Sequence, residues 1–179
     1  MSVMTTSRNG RLFIACREAI VEVPYADGPH LSIGCGFNSP DVKPTDRWTP
    51  QQALAHLKAD VALREKDVNR WLGGTTILQQ EFDALVSLHY NRGNRDFLEI
   101  MALVVRGVIR GETSAVAAML LTFDTNSAGV HLPGLLTRRI AEQRMFLIGD
   151  YGPLGLIPWW RGDPHTTPRF EYVVQDGDL

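Results

Sequence analysis

Two carboxylates and one hydroxyl lie within a short stretch near the start of this 179-residue chain. Glu18 lies near the end of an amphipathic segment, and Asp27 and Ser32 follow it in a segment rich in glycine. Hydrolysis of a glycosidic bond needs such a set: an acid for the leaving oxygen, a second carboxylate near the oxocarbenium-like centre, and a group that holds water. Because carboxylate pairs at this separation are common, the three residues alone indicate this chemistry only weakly.

Apolar spacing and turn residues predict the elements that position this set. Residues 8–22 have apolar side chains at helical spacing, and Pro24 forbids continuation, so we expect a helix that ends near Glu22. The Gly- and Pro-rich residues 25–37 predict a small β-hairpin or meander, and residues 38–48 a loop. Glu18 is therefore expected on the last turns of a helix, beside the hairpin that carries Asp27 and Ser32.

A second helix has a clear start and a clear end. Thr49 is typical of a hydroxyl N-cap, Pro50 of a first helical position and Gln52 of a capping box, and Gly73 ends the run. Six apolar side chains lie close to one face of this helix: Leu54, Leu57, Val61, Val68, Trp71 and Leu72. Because the helix is long and only half apolar, we expect it to join a small N-terminal lobe to a larger one.

The remaining chain predicts a helical lobe and a C-terminal extension. Helices are expected at about 77–91, 95–110, 113–123 and 135–148. The second of these is apolar on nearly every face, which indicates a central helix or, less plausibly, a short buried strand. After Gly149 the segment has little periodicity. Trp159 and Trp160 suit either a sugar-stacking platform or burial against the body, and we expect burial.

Four ordered motifs resemble those of phage-type lysozymes, glycoside hydrolase family 24. The first runs from Glu18 through Tyr25 and Asp27 to Ser32-Ile-Gly-Cys-Gly36. The others are Thr49-Pro-Gln-Gln-Ala53 followed by Asp60, Phe82-Asp-Ala-Leu-Val-Ser87 with Asn91-Arg-Gly93, and Gly134-Leu-Leu-Thr-Arg138-Arg139-Ile-Ala-Glu142. The match covers roughly residues 12–148, and the order of the motifs makes it specific.

The resemblance implies a mainly helical α+β fold that cuts the β-1,4 bond between N-acetylmuramic acid and N-acetylglucosamine in peptidoglycan. It makes Glu18 the general acid, Asp27 the second carboxylate and Ser32 the hydroxyl that positions water or substrate. Residues 1–150 form the expected catalytic domain, with a small lobe at about 20–60 and a helical lobe at about 75–150 plus the N-terminal helix. Residues 151–179 are expected to form an extension packed on the body.

Four further residues are candidates for substrate binding. Asn91 suits either a bond to a sugar N-acetyl group or a helix C-cap before Gly93. Arg138 or Arg139 is the expected neighbour of Glu18, and Tyr25 is a candidate whose more common role is packing.

The motifs depart from the family pattern at three positions. Ala19 stands where Gly is usual, which fits if the position is helical. Ser32 replaces Thr, which keeps the oxygen but loses the methyl that fixes the rotamer, and Phe37 replaces a common His. These changes leave the acid in place and put the water-holding geometry in question.

Composition and charge argue against several other classes of protein. The net charge is −2, and no basic cluster occurs outside Arg138-Arg139, which disfavours nucleic acid as a partner. Two cysteines give no disulfide framework and no four-thiolate zinc site, and the five histidines lack metal-ligand spacing, so no metal or cofactor is expected. The polar N-terminus has no apolar stretch long enough for a signal segment or a membrane span.

These observations predict a phage or prophage endolysin that accumulates in the host bacterial cytoplasm. A separate membrane-permeabilising protein would then admit it to the cell wall. Two alternatives stay open: a lytic transglycosylase, which uses a lone Glu and releases anhydro-muramic ends, and a non-catalytic wall-binding or virion structural protein of the same fold. Asp27 and Ser32 argue against the first alternative, and the loss of the usual Thr and Gly favours the second.

Overall fold

The computed structural model describes residues 3–93, 101, 106–107, 110–126 and 128–179. The chain divides into two compact units. A β-containing unit comprises Arg11–Asp60 and Pro153–Leu179, and a helical unit comprises Met1–Gly10 and Val61–Gly152. This mixed architecture confirms the predicted α+β class. The division differs from the expected lobes in two respects, because most of the N-terminal helix and residues 153–179 of the tail belong to the β-containing unit.

The β-containing unit is built on one five-stranded sheet. Its strands are β1 (Ile20–Asp27), β2 (His30–Gly34), β3 (Phe37–Ser39), β4 (Leu156–Trp160) and β5 (Phe170–Val173), in the order β3-β2-β1-β4-β5. β1 and β2 form an antiparallel hairpin, and Gly28 in its turn has a φ of +67°, which favours glycine. β3 pairs antiparallel with β2. The predicted hairpin is therefore present, although it begins earlier in the chain than residue 25.

The first helix, α1 (Arg8–Glu18), is shorter than predicted. We expected it to continue to about Glu22, but Ile20, Val21 and Glu22 belong to β1. Ala19 separates the two elements with a φ of +66°, so this position is left-handed rather than helical. The β-branched Ile20 and Val21 suit a strand, and their pairing with β4 outweighs the helical spacing of the apolar residues.

The tail forms regular structure that the sequence did not predict. β4 pairs parallel with β1 through Ile20 and Val21, and β5 pairs antiparallel with β4. Ile157 is fully buried, whereas Trp159 and Trp160 are half-buried. The tail is thus an integral part of the sheet that also carries Asp27 and Ser32.

The core of this unit lies between the sheet and the helices on it. Fully buried side chains come from α1, from the strands and from the first turns of α2 (Pro50–Leu72), and they include Phe13, Ile14, Ile20, Ile33, Leu54 and Leu57. Burying each such side chain contributes about 1.5–3 kcal/mol relative to exposure. Glu18 lies three residues after Ala15, the last fully buried residue of α1.

The start of α2 follows its sequence signals closely. Gln52 N donates to Thr49 Oγ1 at 3.2 Å, and Thr49 N donates to Gln52 Oε1 at 2.8 Å, which is the predicted capping box. Gly73 follows the last helical residue with a φ of +57°. One prediction for this helix is wrong, because Trp71 is 36% exposed and does not belong to the buried face.

The helical unit contains α3 (Gln79–Arg92), α4 (Thr113–Leu120) and α5 (Pro133–Ile148). These match three predicted helices to within a few residues. Most of the helix predicted at 95–110 lies outside the described residues. Asp83 of α3 is fully buried and accepts hydrogen bonds from Ser7 N at 3.0 Å, Gln79 Nε2 at 2.9 Å and Tyr151 Oη at 2.7 Å, which ties both ends of the unit's sequence to α3.

Candidate active site

Glu18 lies at the C-terminal end of α1, beside the turn between β2 and β3. Its side chain is half-buried. Gly36 in this turn has a φ of +77°, and a Cβ on it would come within 3.5 Å of Glu18 Oε2. The absence of a side chain at Gly36 therefore leaves space next to the carboxylate.

The Glu18 charge acts on two neighbouring groups of the β-containing unit. Burial raises the pKa of the Cys35 thiol, and the Glu18 carboxylate raises it further. Burial also raises the pKa of Tyr25, with the charges of Asp27 and Glu18 adding to the effect and a hydrogen bond with Ser32 opposing it. Both groups therefore stay neutral at physiological pH, and Cys35 is not a thiolate nucleophile.

Asp27, Ser32 and Asn38 form a hydrogen-bonded set on three adjacent strands. Ser32 Oγ donates to Asp27 Oδ2 at 2.8 Å. Asn38 Nδ2 donates to Ser32 Oγ at 2.9 Å and to the Asp27 backbone oxygen at 3.1 Å. Ser32 is fully buried, whereas Asp27 and Asn38 are exposed. A carboxylate held in this way keeps one side toward solvent, where it is able to bind water.

Asn38 is a site residue that the sequence did not predict. Residues 38–48 were expected to form a loop, but Asn38 lies in β3 directly opposite Ser32. Cross-strand neighbours are close enough for their side chains to bond. An Asn six residues after a candidate Ser is not a signal without the strand register, so only a prediction of β3 and its pairing would have found it.

The candidate residues of the helical unit surround a buried carboxylate. Glu142 and Arg139 are fully buried, and Arg138 is almost so. Arg138 Nε lies 3.1 Å from Glu142 Oε1, and Arg139 Nε lies 3.0 Å from Glu142 Oε2. Ser87 Oγ donates to Glu142 Oε1 at 2.6 Å. Glu142 belongs to one of the four sequence motifs, but its pairing with both arginines was not predicted.

Asn91 belongs to the same cluster. Arg139 Nη2 donates to Asn91 Oδ1 at 2.7 Å. Asn91 lies inside α3, and the helix is closed by Gly93, whose N donates to His89 O at 2.9 Å. Asn91 is therefore not the C-cap, and its half-buried amide is oriented by a buried arginine. The structure thus joins Tyr25, Asp27 and Ser32 in one unit and Asn91, Arg138 and Arg139 in the other.

The described residues contain neither a cluster of metal ligands nor a helix that could cross a membrane. In residues 3–93, 101, 106–107, 110–126 and 128–179, no group of three or more His, Cys, Asp or Glu is arranged to hold a metal ion. The helices in this part of the chain include none with the length and hydropathy of a bilayer span. Cys16 and Cys35 form no disulfide bond in the described part of the chain.

The fold and the two groups of candidate residues, one in each unit, define a class of protein. The family model described as phage lysozyme matches residues 15–142, so the chain belongs to the phage lysozyme family. This confirms the resemblance drawn from the four motifs. The matched range contains Glu18, Asp27 and Ser32 as well as Asn91, Arg138 and Arg139.

Individual relatives agree with the family. The chain is 32% identical over 149 residues to the endolysin of Bacillus phage PZA, covering 83% of this chain and 54% of that protein. It thus spans about half the length of this relative. Among solved structures, the endolysin from Escherichia coli O157:H7 phage FAHEc1 is 28% identical, with a TM-score of 0.75 over 85% of this chain and 99% of that one. The muramidase domain of SpmX from Asticaccaulis excentricus is 27% identical, with a TM-score of 0.69 over 80% and 97%.

Proposed function

We propose that this protein is a peptidoglycan hydrolase of the endolysin type, a muramidase that cuts the β-1,4 bond between N-acetylmuramic acid and N-acetylglucosamine. The observation that carries the proposal is the set made by Glu18 and the Asp27-Ser32 pair, within the residues that match the phage lysozyme family. Similarity to endolysins and to a muramidase domain supports the choice of peptidoglycan as substrate.

In the proposed mechanism, Glu18 protonates the bridging oxygen as the glycosidic bond breaks. Asp27 stabilises the positive charge that develops on the sugar ring, binds the attacking water through its exposed side and accepts the proton that this water loses as it bonds to the sugar carbon. Ser32 holds the Asp27 carboxylate by donating to Oδ2. Hydrolysis requires Asp27 to bind and position a water molecule. A transglycosylase adds no water and does not require this step.

The helical-unit residues receive a binding role in this proposal. The half-buried Asn91 is the group that contacts substrate, through a hydrogen bond to a sugar N-acetyl group. Arg139 orients the Asn91 amide, and Arg138 acts with it through their shared partner Glu142. Tyr25 completes the binding residues on the β-containing unit, where its hydroxyl neighbours Ser32.

The proposal is tested by adding purified protein to peptidoglycan and following new reducing ends. We expect cleavage by the wild type and a loss of about 10²–10⁴-fold in Glu18→Gln, because the amide has no proton to donate to the leaving oxygen. Glu22→Gln is the matched control: Glu22 is the nearest alternative acid in sequence, but its carboxylate accepts from Trp159 Nε1 at 3.1 Å. An unchanged rate in Glu18→Gln would remove Glu18 from the mechanism.

Mass spectrometry of the products separates the alternatives. Hydrolysis leaves reducing N-acetylmuramic acid ends, whereas anhydro-muramic ends would identify a lytic transglycosylase. Retention of the protein on insoluble peptidoglycan without released product would identify a non-catalytic wall-binding or structural protein.

We also propose that the protein accumulates in the bacterial cytoplasm and reaches the wall after a separate protein has permeabilised the membrane. The relatives that this chain resembles are named endolysins. Expression of the protein alone in growing cells is the test. We expect no lysis until a permeabilising agent is added, and lysis without one would contradict the proposal.

A further inference from the structure

The buried Ser32 hydroxyl needs an external constraint to point in one direction. A serine has no β-branch, so its χ1 angle has three accessible wells, and the hydroxyl hydrogen rotates about the C–O bond. A hydroxyl that hydrogen-bonds the proposed second carboxylate is useful only in one of these orientations.

Asn38 supplies this constraint through its amide nitrogen. An amide N–H group donates and does not accept, so the 2.9 Å contact with Asn38 Nδ2 makes Ser32 Oγ the acceptor. The neutral Tyr25 hydroxyl, which also hydrogen-bonds Ser32, is able to donate to the other lone pair of Oγ, so the single hydrogen of Ser32 is left for Asp27 Oδ2, at 2.8 Å. A second bond, from Asn38 Nδ2 to the Asp27 backbone oxygen at 3.1 Å, fixes the amide itself.

We propose that Asn38 is a positioning residue of the active site, which orients the Ser32 hydroxyl toward Asp27 and thereby holds that carboxylate in its working position. It acts in place of the methyl group that a threonine at position 32 would use to restrict χ1. The catalytic part of this inference rests on the proposed function, and the geometric part does not.

The first test measures kcat and KM for wild type and Asn38→Leu, which has a similar volume but no donor. We expect kcat to fall on the order of 10-fold while KM changes by less than about twofold, because misplacing a reacting group affects the transition state more than substrate binding. Asn38→Asp, which replaces the donor by an acceptor, must give at least the same loss. Ser39→Ala is the control, since Ser39 is the next residue of β3 and its hydroxyl bonds only within the Ser39–Asp41 turn in the described contacts.

The second test asks whether a methyl group replaces Asn38. In a Ser32→Thr background the added branch restricts χ1, so Asn38→Leu is expected to lower kcat by less than about threefold. A loss as large as in the serine background would contradict the stated role of Asn38.

The third test is independent of activity. Three-bond Hα–Hβ couplings of Ser32, measured by NMR, are expected to report one rotamer in the wild type and an average over rotamers in Asn38→Leu. A single rotamer in both proteins overturns the inference, and so does averaging with an unchanged kcat. If the Ser32 rotamers average in Asn38→Leu but the wild type has no glycosidase activity, the proposed function is overturned. The positioning of Ser32 by Asn38 is supported in that case.

Discussion

Ala19 adopts a left-handed backbone conformation directly after Glu18, the last residue of α1. Its φ is +66°, and its N donates to Ala15 O at 3.1 Å, so it closes the helix in the manner of a glycine C′ residue. For an alanine this conformation costs roughly 1–2 kcal/mol. The chain therefore stores strain at the residue that follows the proposed general acid.

Replacing Ala19 by glycine is expected to stabilise the protein. The substitution relieves the left-handed strain, while the greater freedom of glycine in the unfolded chain takes back about 0.4–1 kcal/mol. The net gain is on the order of 0.5–1 kcal/mol, or about 1–4 °C in melting temperature for a chain of this size. Differential scanning calorimetry checks it, with Ala55→Gly in the exposed face of α2 as the control, which must lower the melting temperature. A lower melting temperature for Ala19→Gly would contradict the claim that the backbone of Ala19 is strained.

The same residue shows why the end of α1 was mispredicted. The apolar spacing continues past Glu18 to Ile20, and Pro24 is the first residue that forbids a helix, so a local pattern favours an end near Glu22. The helix ends earlier because Ile20 and Val21 pair with Trp159 and Trp160, which lie near the other end of the chain. Pairing over such a distance leaves no local signal.

Other parts of the structure depend on local signals alone, and these were predicted well. The capping box of Thr49 and Gln52 involves residues three apart, and the glycine that ends α2 acts through its own φ angle. The candidate acid Glu18, with Asp27 and Ser32, was found because the family motif is contiguous in sequence. Asn38 and Glu142 were not assigned, because their roles depend on strand register and on packing between helices.

Glu142→Gln is expected to destabilise the protein by about 3–5 kcal/mol, because it leaves the fully buried Arg139 without its counter-charge. The melting temperature should fall by about 10 °C. The control is Asp150→Asn, which removes the partner of the exposed Arg144, and for which we expect no measurable change in the melting temperature. Equal effects of the two substitutions would show that the buried pair contributes no more than a surface pair.

Asp83 is expected to be a second determinant of stability in the helical unit. Asp83→Asn replaces one acceptor oxygen by a donor, so that donors from Ser7, Gln79 and Tyr151 no longer all find a partner. Leaving such groups unsatisfied costs about 1–3 kcal/mol each. Tyr151→Phe removes one of these donors and should cost about 1 kcal/mol, so urea denaturation should rank the variants with Asp83→Asn the less stable. The reverse order would contradict this account of Asp83.

Stability should also fall in mildly acidic solution because of His89. Its side chain is fully buried, with Nε2 3.2 Å from Asp67 Oδ2. Burial lowers the pKa of His89, the bond to Asp67 opposes this, and the nearby Arg64 charge lowers the pKa further. A lowered pKa in the folded state means that the unfolded chain, whose histidine titrates near pH 6.5, binds the proton first. The contribution of neutral His89 to the free energy of unfolding is therefore complete above about pH 6.5. It is lost as the pH falls toward the folded-state pKa of His89.

Urea denaturation at pH 7.5 and pH 5.5 measures this effect, since most carboxylates remain ionised over that interval. We expect the wild-type midpoint to be lower at pH 5.5, and the difference to shrink in His89→Gln, which has no titrating ring. His131→Gln is the comparison variant, because His131 also contacts an aspartate, Asp124, but its side chain is 77% exposed. A wild-type midpoint that is equal or higher at pH 5.5 would show that Asp67, rather than burial, determines the protonation of His89.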